Sequence, residues 1–129
     1  MSTTTDASFA SLQGENFIRL TTFRKSGKPV PTPVWFAQDG DRLVVTTSPN
    51  SGKIKRMRHT PRVELIASDA RGNPKEGATT IEAQAHILPE SEYKQADKAL
   101  SKKYGWQKTA LMLMGRLRGS KSTYFEITA

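Results

Sequence analysis

The sequence predicts a mainly β domain of the α+β class: six short antiparallel strands closed into a small barrel, with a few helices at its periphery. Three observations predict it. Six short segments carry β-branched and aromatic residues, several with apolar and polar positions alternating. Most of the links between them are hairpin-length and rich in Gly, Pro and Asp, which favours antiparallel neighbours. Only two stretches carry helical periodicity, and both lie between strands. A barrel is the arrangement that leaves such strands with fewest open edges.

The elements follow in order. Residues 16–24 (NFIRLTTFR) read as the first strand, and residues 25–29 as a hairpin turn in which Gly27 takes positive φ. Residues 30–38 (VPTPVWFAQ) read as extended. Pro31 and Pro33 bar a helix there and suit an edge or an interrupted strand. Asp39-Gly40-Asp41 is a second turn and residues 42–47 a third strand. Residues 51–60 change character. Ile54 and Met57 are three apart, Asn50 or Ser51 can cap a helix, and Pro61 stops it. Residues 62–69 and 79–88 are strands flanking a loop with Gly72, Pro74 and Gly77. Pro89 opens a helical stretch with Tyr93, Ala96, Leu100 and Tyr104 on one face. Gly105 interrupts it and residues 106–117 resume it. Residues 122–128 are the last strand. Residues 1–8 are expected to be a flexible tail, and residues 9–129 a single domain in which Phe9, Leu12 and Phe17 can anchor a short N-terminal helix.

Composition removes several functions. The 129 residues include no cysteine, so disulfides, thiolate catalysis and Cys-ligated metals are excluded. The two histidines, His59 and His86, lie 27 positions apart, and no metal is expected. No apolar run approaches a membrane span, and the N-terminus lacks the pattern of a secretory signal. The expected location is the cytoplasm. The net charge of +8 attracts anions. Nucleic acid is not the expected partner, because the basic helix has no interleaved aromatics to stack bases. Dinucleotide (GxGxxG) and serine-hydrolase (GxSxG) motifs are absent, as is an evident carboxylate pair. An enzyme of this composition would borrow its reactivity from a cofactor.

Two segments carry candidate chemistry. In residues 46–58 (TTSPNSGKIKRMR) a strand ends in hydroxyls, a tight loop follows, and a helix begins. The first N–H groups of a helix are unpaired and favour a phosphate. Thr46, Thr47, Ser48 and Ser51 offer hydroxyls; Lys53, Lys55 and Arg56 offer charge. A solvated basic helix with ordinary capping reads equally well from these residues. In residues 31–36 (PTPVWF) the prolines free backbone groups from the ladder beside an aromatic pair, where they could read the edge of a planar heterocycle. Barrel core with an edge device is the simpler reading of that segment. Trp106 and Tyr104, near the helix break, suit either a pocket or packing.

Taken in order, TPVWF, DGDRLVVTT, SGKIKRMRHTPRV, SDARG, KKYGW and GRLRG resemble the pyridoxamine 5′-phosphate oxidase-like superfamily, and within it the deazaflavin-dependent branch. The resemblance runs from about Phe17 to Thr128. It implies an FMN-binding-like split β-barrel, a homodimer with cofactor sites at the interface, and hydride transfer between coenzyme F420 and a small organic substrate. It implies that Ser48, Ser51, Lys53, Lys55 and Arg56 hold the cofactor phosphate. The ring would lie along Pro33, Val34, Trp35 and Thr47, with the partner subunit contributing near Trp106. FMN as the cofactor, and a non-catalytic cofactor-binding protein, are the alternatives on the same fold. Arg42-Leu-Val-Val-Thr-Thr lacks the closing lysine with which the phosphate-oxidase members grip a flavin phosphate, which favours the deazaflavin.

Overall fold

The computed structural model describes residues 9–104 and 123–129. They form seven strands in one antiparallel sheet: β1 (Phe17–Phe23), β2 (Pro29–Trp35), β3 (Ala37–Asp39), β4 (Arg42–Thr47), β5 (Arg62–Ser68), β6 (Ile81–Ile87) and β7 (Thr123–Thr128). Two helices accompany them, α1 (Gly52–His59) and α2 (Tyr93–Tyr104), the second led in by a 3-10 turn at Glu90–Glu92. No helix among the described residues is long and apolar enough to cross a membrane.

The strand count corrects the sequence-based expectation from six to seven. The extended segment predicted over residues 30–38 is cut at the buried Phe36, because its two halves pair with different partners. The sheet order is β2-β1-β5-β6-β7-β4-β3. Strands β2 and β3 are separated by one residue in the chain, yet they sit at opposite ends of that order. One residue can join two sheet edges only if the sheet curls until the edges meet. The fold is therefore a curled antiparallel sheet, a half-barrel with a split between β2 and β4.

The inside of the curl holds the main core. Ile18, Leu20, Leu43, Val45, Val63, Leu65, Ala85, Phe125 and Ile127 are all fully buried in it, each from the alternating inward positions of its strand. Helix α1 caps one end with Ile54 and Met57, the two apolar residues of an otherwise polar helix. It stops at Thr60 before Pro61, as the sequence predicts. Phe9 and Leu12 plug into the same core from the N-terminal turn, whereas Phe17 belongs to β1, with its ring edge-on to Trp35 at 5.7 Å.

A second cluster lies on the outer face, where Ala96 and Leu100 of α2 cover Ala37, Val44 and Tyr124. Its polar rim is satisfied: the Tyr124 hydroxyl donates to Asp97 Oδ1 at 2.9 Å, and the Tyr93 and Thr123 hydroxyls lie 2.7 Å apart. The two hairpin turns form as expected, with Gly27 and Gly40 at φ of 90° and 66°. The predicted tail (1–8) and the continuation at 106–117 lie outside the described residues.

Candidate functional site

Period-two alternation along β4 sends Leu43 and Val45 into the barrel and Val44 to the outer cluster. Thr47 therefore faces inward at the end of the strand and Thr46 faces out. The chain then turns at Ser48-Pro49-Asn50, held by the Ser51 N–H donating to the Ser48 carbonyl at 3.1 Å, and α1 begins. Lys53 Nζ reaches back to donate to Thr47 Oγ1 at 3.4 Å. Arg56, one turn later, donates from Nε to Thr22 Oγ1 at 2.6 Å. Thr22 is fully buried on β1, inward like Ile18 and Leu20.

The guanidinium of Arg56 folds back over the start of its own helix. A Cβ added at Gly52 would stand 2.7 Å from Arg56 Nη1, so the missing side chain is what leaves that room. Lys53, Arg56, the N-terminus of α1 and the Thr47 hydroxyl thus gather at one end of the curled sheet. Among the described residues, no carboxylate forms an ion pair with either cation. Burial lowers the pKa of Lys53, and Arg56 lowers it further. Burial likewise lowers that of Arg56, with Arg24 adding to the effect. These are positive groups held together against desolvation and mutual repulsion.

Two hydroxyls add to the picture. Ser51 stands at the N-cap position of α1 without a side-chain cap bond. Its Oγ is buried without a hydrogen-bond partner, and so is Thr32 Oγ1. Leaving such a group unpaired costs about 1–3 kcal/mol, a cost a bound polar ligand would remove. Thr32 is two positions from Val34 on the inward face of β2, next to the split.

The prolines of β2 have a readable consequence. The Arg24 N–H donates to the Lys28 carbonyl at 3.0 Å, which sets the even-numbered residues of β2 as the hydrogen-bonded partners of β1. Pro29, Pro31 and Pro33 then turn their backbone to the free edge, which presents carbonyl oxygens at all three positions and an N–H at none of them.

The remaining sequence candidates fall elsewhere. Thr46 Oγ1 donates to the Thr123 carbonyl at 3.1 Å on the outer face. Ser48 and Lys55 are exposed. Val34 is in the inner core, while Pro33 and Trp35 lie on the outer face of β2, Pro33 against the buried Gly72 of the β5–β6 loop. Trp106 lies outside the described residues. Sequence reasoning missed Thr22, Arg24 and Thr32. The signal for Thr22 was present: it occupies an inward position of a strand whose other inward residues are Ile18 and Leu20.

A separate cleft of about 290 Å³ lies between the N-terminal turn and α2, lined by Leu12, Phe36, Gln38, Lys102 and Lys103 among others. Lys103 Nζ sits 3.7 Å from the centre of the Phe36 ring, and burial takes its pKa down to about 8, with Glu15 acting in the opposite direction.

Residues 4–127 match the pyridoxamine 5′-phosphate oxidase family, and the chain belongs to it. No curated protein matches the chain. Solved structures with a similar fold include an FAD-binding protein from Mesorhizobium loti (22% identity over 95% of this chain and 84% of that one, TM-score 0.64). A heme storage protein from Vibrio cholerae shares 16% identity over 90% and 82% of the two chains, with a TM-score of 0.69. A conserved hypothetical protein from Mycobacterium tuberculosis shares 18% identity over 96% and 79%, with a TM-score of 0.70. At these identities the likeness speaks for the fold alone.

Proposed function

We propose that this chain is an oxidoreductase that binds coenzyme F420 at the Thr47–Lys53–Arg56 cradle and acts on a small organic substrate as a homodimer. The observation that carries the reading is that cradle. Half-buried cations without a carboxylate, a helix N-terminus and buried hydroxyls without a partner together suit a phosphate. The coenzyme, when bound, supplies hydride transfer, which accords with a sequence that shows no evident carboxylate pair. Lys53, Arg56 and Ser51 would hold the phosphate. The carbonyl edge of β2 would accept hydrogen bonds from ring N–H groups, and the adjoining core would exclude water.

Two further observations support the reading over its alternatives. Arg42, which opens the strand segment that lacks the closing lysine of the phosphate-oxidase members, is engaged by Asp39, Glu92 and Glu126 at 3.0–3.1 Å, at the opposite end of β4 from Thr47. For a heme, both histidines of the sequence are exposed, His59 at the end of α1 and His86 on the outer side of β6. A dimer has a candidate contact in the half-buried Phe17, Pro33, Trp35 and Ile66 on the outer face of β2, β1 and β5.

The test is a titration of tryptophan fluorescence with F420 and, separately, FMN. Saturable quenching at micromolar F420, lost in Arg56→Gln, is the expected result. Preference for FMN would overturn the choice of cofactor. No response to either would overturn the cofactor site.

A further inference from the structure

Lys53 and Arg56 belong to the cradle, but the molecule holds another half-buried lysine elsewhere. Lys103, on the last turn of α2, lines the cleft of about 290 Å³ between that helix and the N-terminal turn, and no residue of the cradle lines it. Its amine is placed by contacts from distant parts of the chain. Nζ donates to the Glu15 carbonyl, 88 positions away, and lies 3.7 Å from the centre of the buried Phe36 ring. Leu12 and Ala99 extend the apolar wall beside that ring. A backbone carbonyl accepts and never donates. This hydrogen bond therefore orients the amine through an N–H, supplies it no proton and does not use its lone pair. Glu15 also acts on Lys103 through its carboxylate, which is itself paired with Lys75 at 2.6 Å. Lys102 is the other charged side chain lining the cleft, and it is exposed. Burial outweighs Glu15 and takes the pKa of Lys103 down to about 8. At pH 7 roughly a tenth of such a lysine is free amine, against roughly one part in three thousand for an ordinary one. Partial desolvation against an apolar wall is how a lysine becomes a nucleophile towards carbonyl carbon.

We propose that this cleft is a carbonyl-capture site, in which Lys103 Nζ forms a reversible imine with a small aldehyde whose apolar body packs on Phe36 and Leu12 and whose carboxylate meets Lys102. The nitrogen lone pair forms the C–N bond as the C=O π pair moves to oxygen. Proton transfer from nitrogen to oxygen gives a carbinolamine, and loss of its hydroxyl as water leaves the C=N bond. Amine and aldehyde thus give imine and water, with no net oxidation or reduction and no co-reactant. The volume suits a ligand at the small end of the usual range. The site is independent of the cofactor reading, and its failure leaves the cradle untouched.

The experiment is reductive trapping on the full chain. 4-Carboxybenzaldehyde is titrated at pH 7 in the presence of sodium cyanoborohydride, and the modified lysines are located by peptide mass mapping. Lys103 is expected to saturate with aldehyde and to react about tenfold faster than any other lysine, because of its larger share of free amine. Benzaldehyde, which lacks the carboxylate, should need about fivefold more for half-saturation, the scale of one exposed charge contact, and Lys102→Gln should erase that difference. Lys103→Arg keeps the positive charge beside Phe36 but cannot form the imine, so saturable trapping should vanish while the circular-dichroism spectrum holds. Labelling of the unaltered protein by trinitrobenzenesulfonate, which reads amine reactivity directly, should reach half its maximum at Lys103 near pH 8 and at the exposed Lys94 well above it. Even modification across the lysines, saturation at Lys53 instead, or trapping that persists in Lys103→Arg would overturn the proposal. Equal half-saturation by the two aldehydes would overturn the part of Lys102 and the anionic half of the ligand class.

Discussion

Arg42 and Arg56 carry the same guanidinium into opposite company. Arg42 is 12% exposed and meets three carboxylates, with Nε and Nη2 on Asp39, and Nη1 shared by Glu92 and Glu126. Burial alone would lower its pKa, but the hydrogen bonds from Glu126, Asp39 and Glu92 outweigh that and raise it. Arg56 meets a neutral hydroxyl and other cations, and its pKa falls. The first arginine ties the 3-10 turn, the β3–β4 hairpin and β7 together. The second is left with charge to offer. In a chain of net charge +8 it is the presence of carboxylates around a cation, more than its burial, that decides whether its charge is neutralised within the fold or left uncompensated.

The largest effect that tests this comparison is on stability. Arg42→Met should cost about 3 kcal/mol, because it strands Asp39, Glu92 and Glu126 beside one another, and it should leave anion binding unchanged. Urea denaturation alongside phosphate titration checks both halves. A loss of binding without a loss of stability would reverse the assignment of the two arginines. Next, Arg56→Gln should weaken phosphate binding by about 30-fold, near 2 kcal/mol, while stability holds or rises slightly as repulsion is relieved. An unchanged affinity would remove Arg56 from the site.

A smaller effect isolates the buried hydroxyl. Thr22→Val keeps the shape of the side chain but leaves Arg56 Nε without its partner. Anion affinity should fall about fivefold, and Thr22→Ser should restore it. A purely structural Thr22 would instead show the loss in the urea midpoint with affinity intact.

The smallest effect is the pH dependence of Lys53. Its folded pKa lies below the unfolded 10.5, so the charged form is penalised in the fold. The unfolded chain binds the extra proton between those two values. The destabilising share is therefore present below the folded pKa and disappears as pH climbs from there to 10.5. A bound anion favours the charged form, so phosphate affinity should decline over that same climb. Lys53→Met should weaken binding and flatten its pH profile over that range. A profile identical to wild type would take Lys53 out of contact with the ligand.

The positions of these groups were only partly legible beforehand. The helix at α1 was readable because Ile54 and Met57 are the apolar pair of a basic stretch and Pro61 ends it. Lys53 and Arg56 were candidates for the same reason. Thr47 and Thr46 were indistinguishable by composition, and only the parity of β4, set by which face packs against the core, sent one to the cradle and the other to the Thr123 carbonyl. Lys55 shares the helix with Lys53 and Arg56, but the seating of Ile54 and Met57 turns it to solvent.

By itself, then, the sequence determined the local events: the approximate place of most strands and of α1, which turns need glycine, and that the chain carries net positive charge and no reactive thiol. Those follow from side-chain chemistry and short-range sterics, which depend on a few neighbouring residues. The tertiary structure alone decided that the segment at 30–38 divides at Phe36, that Thr22 meets Arg56 across 34 positions, and that Arg42 rather than Arg56 receives the carboxylates. These depend on how a seven-stranded sheet curls until its edges meet. The pairing of strands distant in sequence fixes that curl, and no local pattern records it.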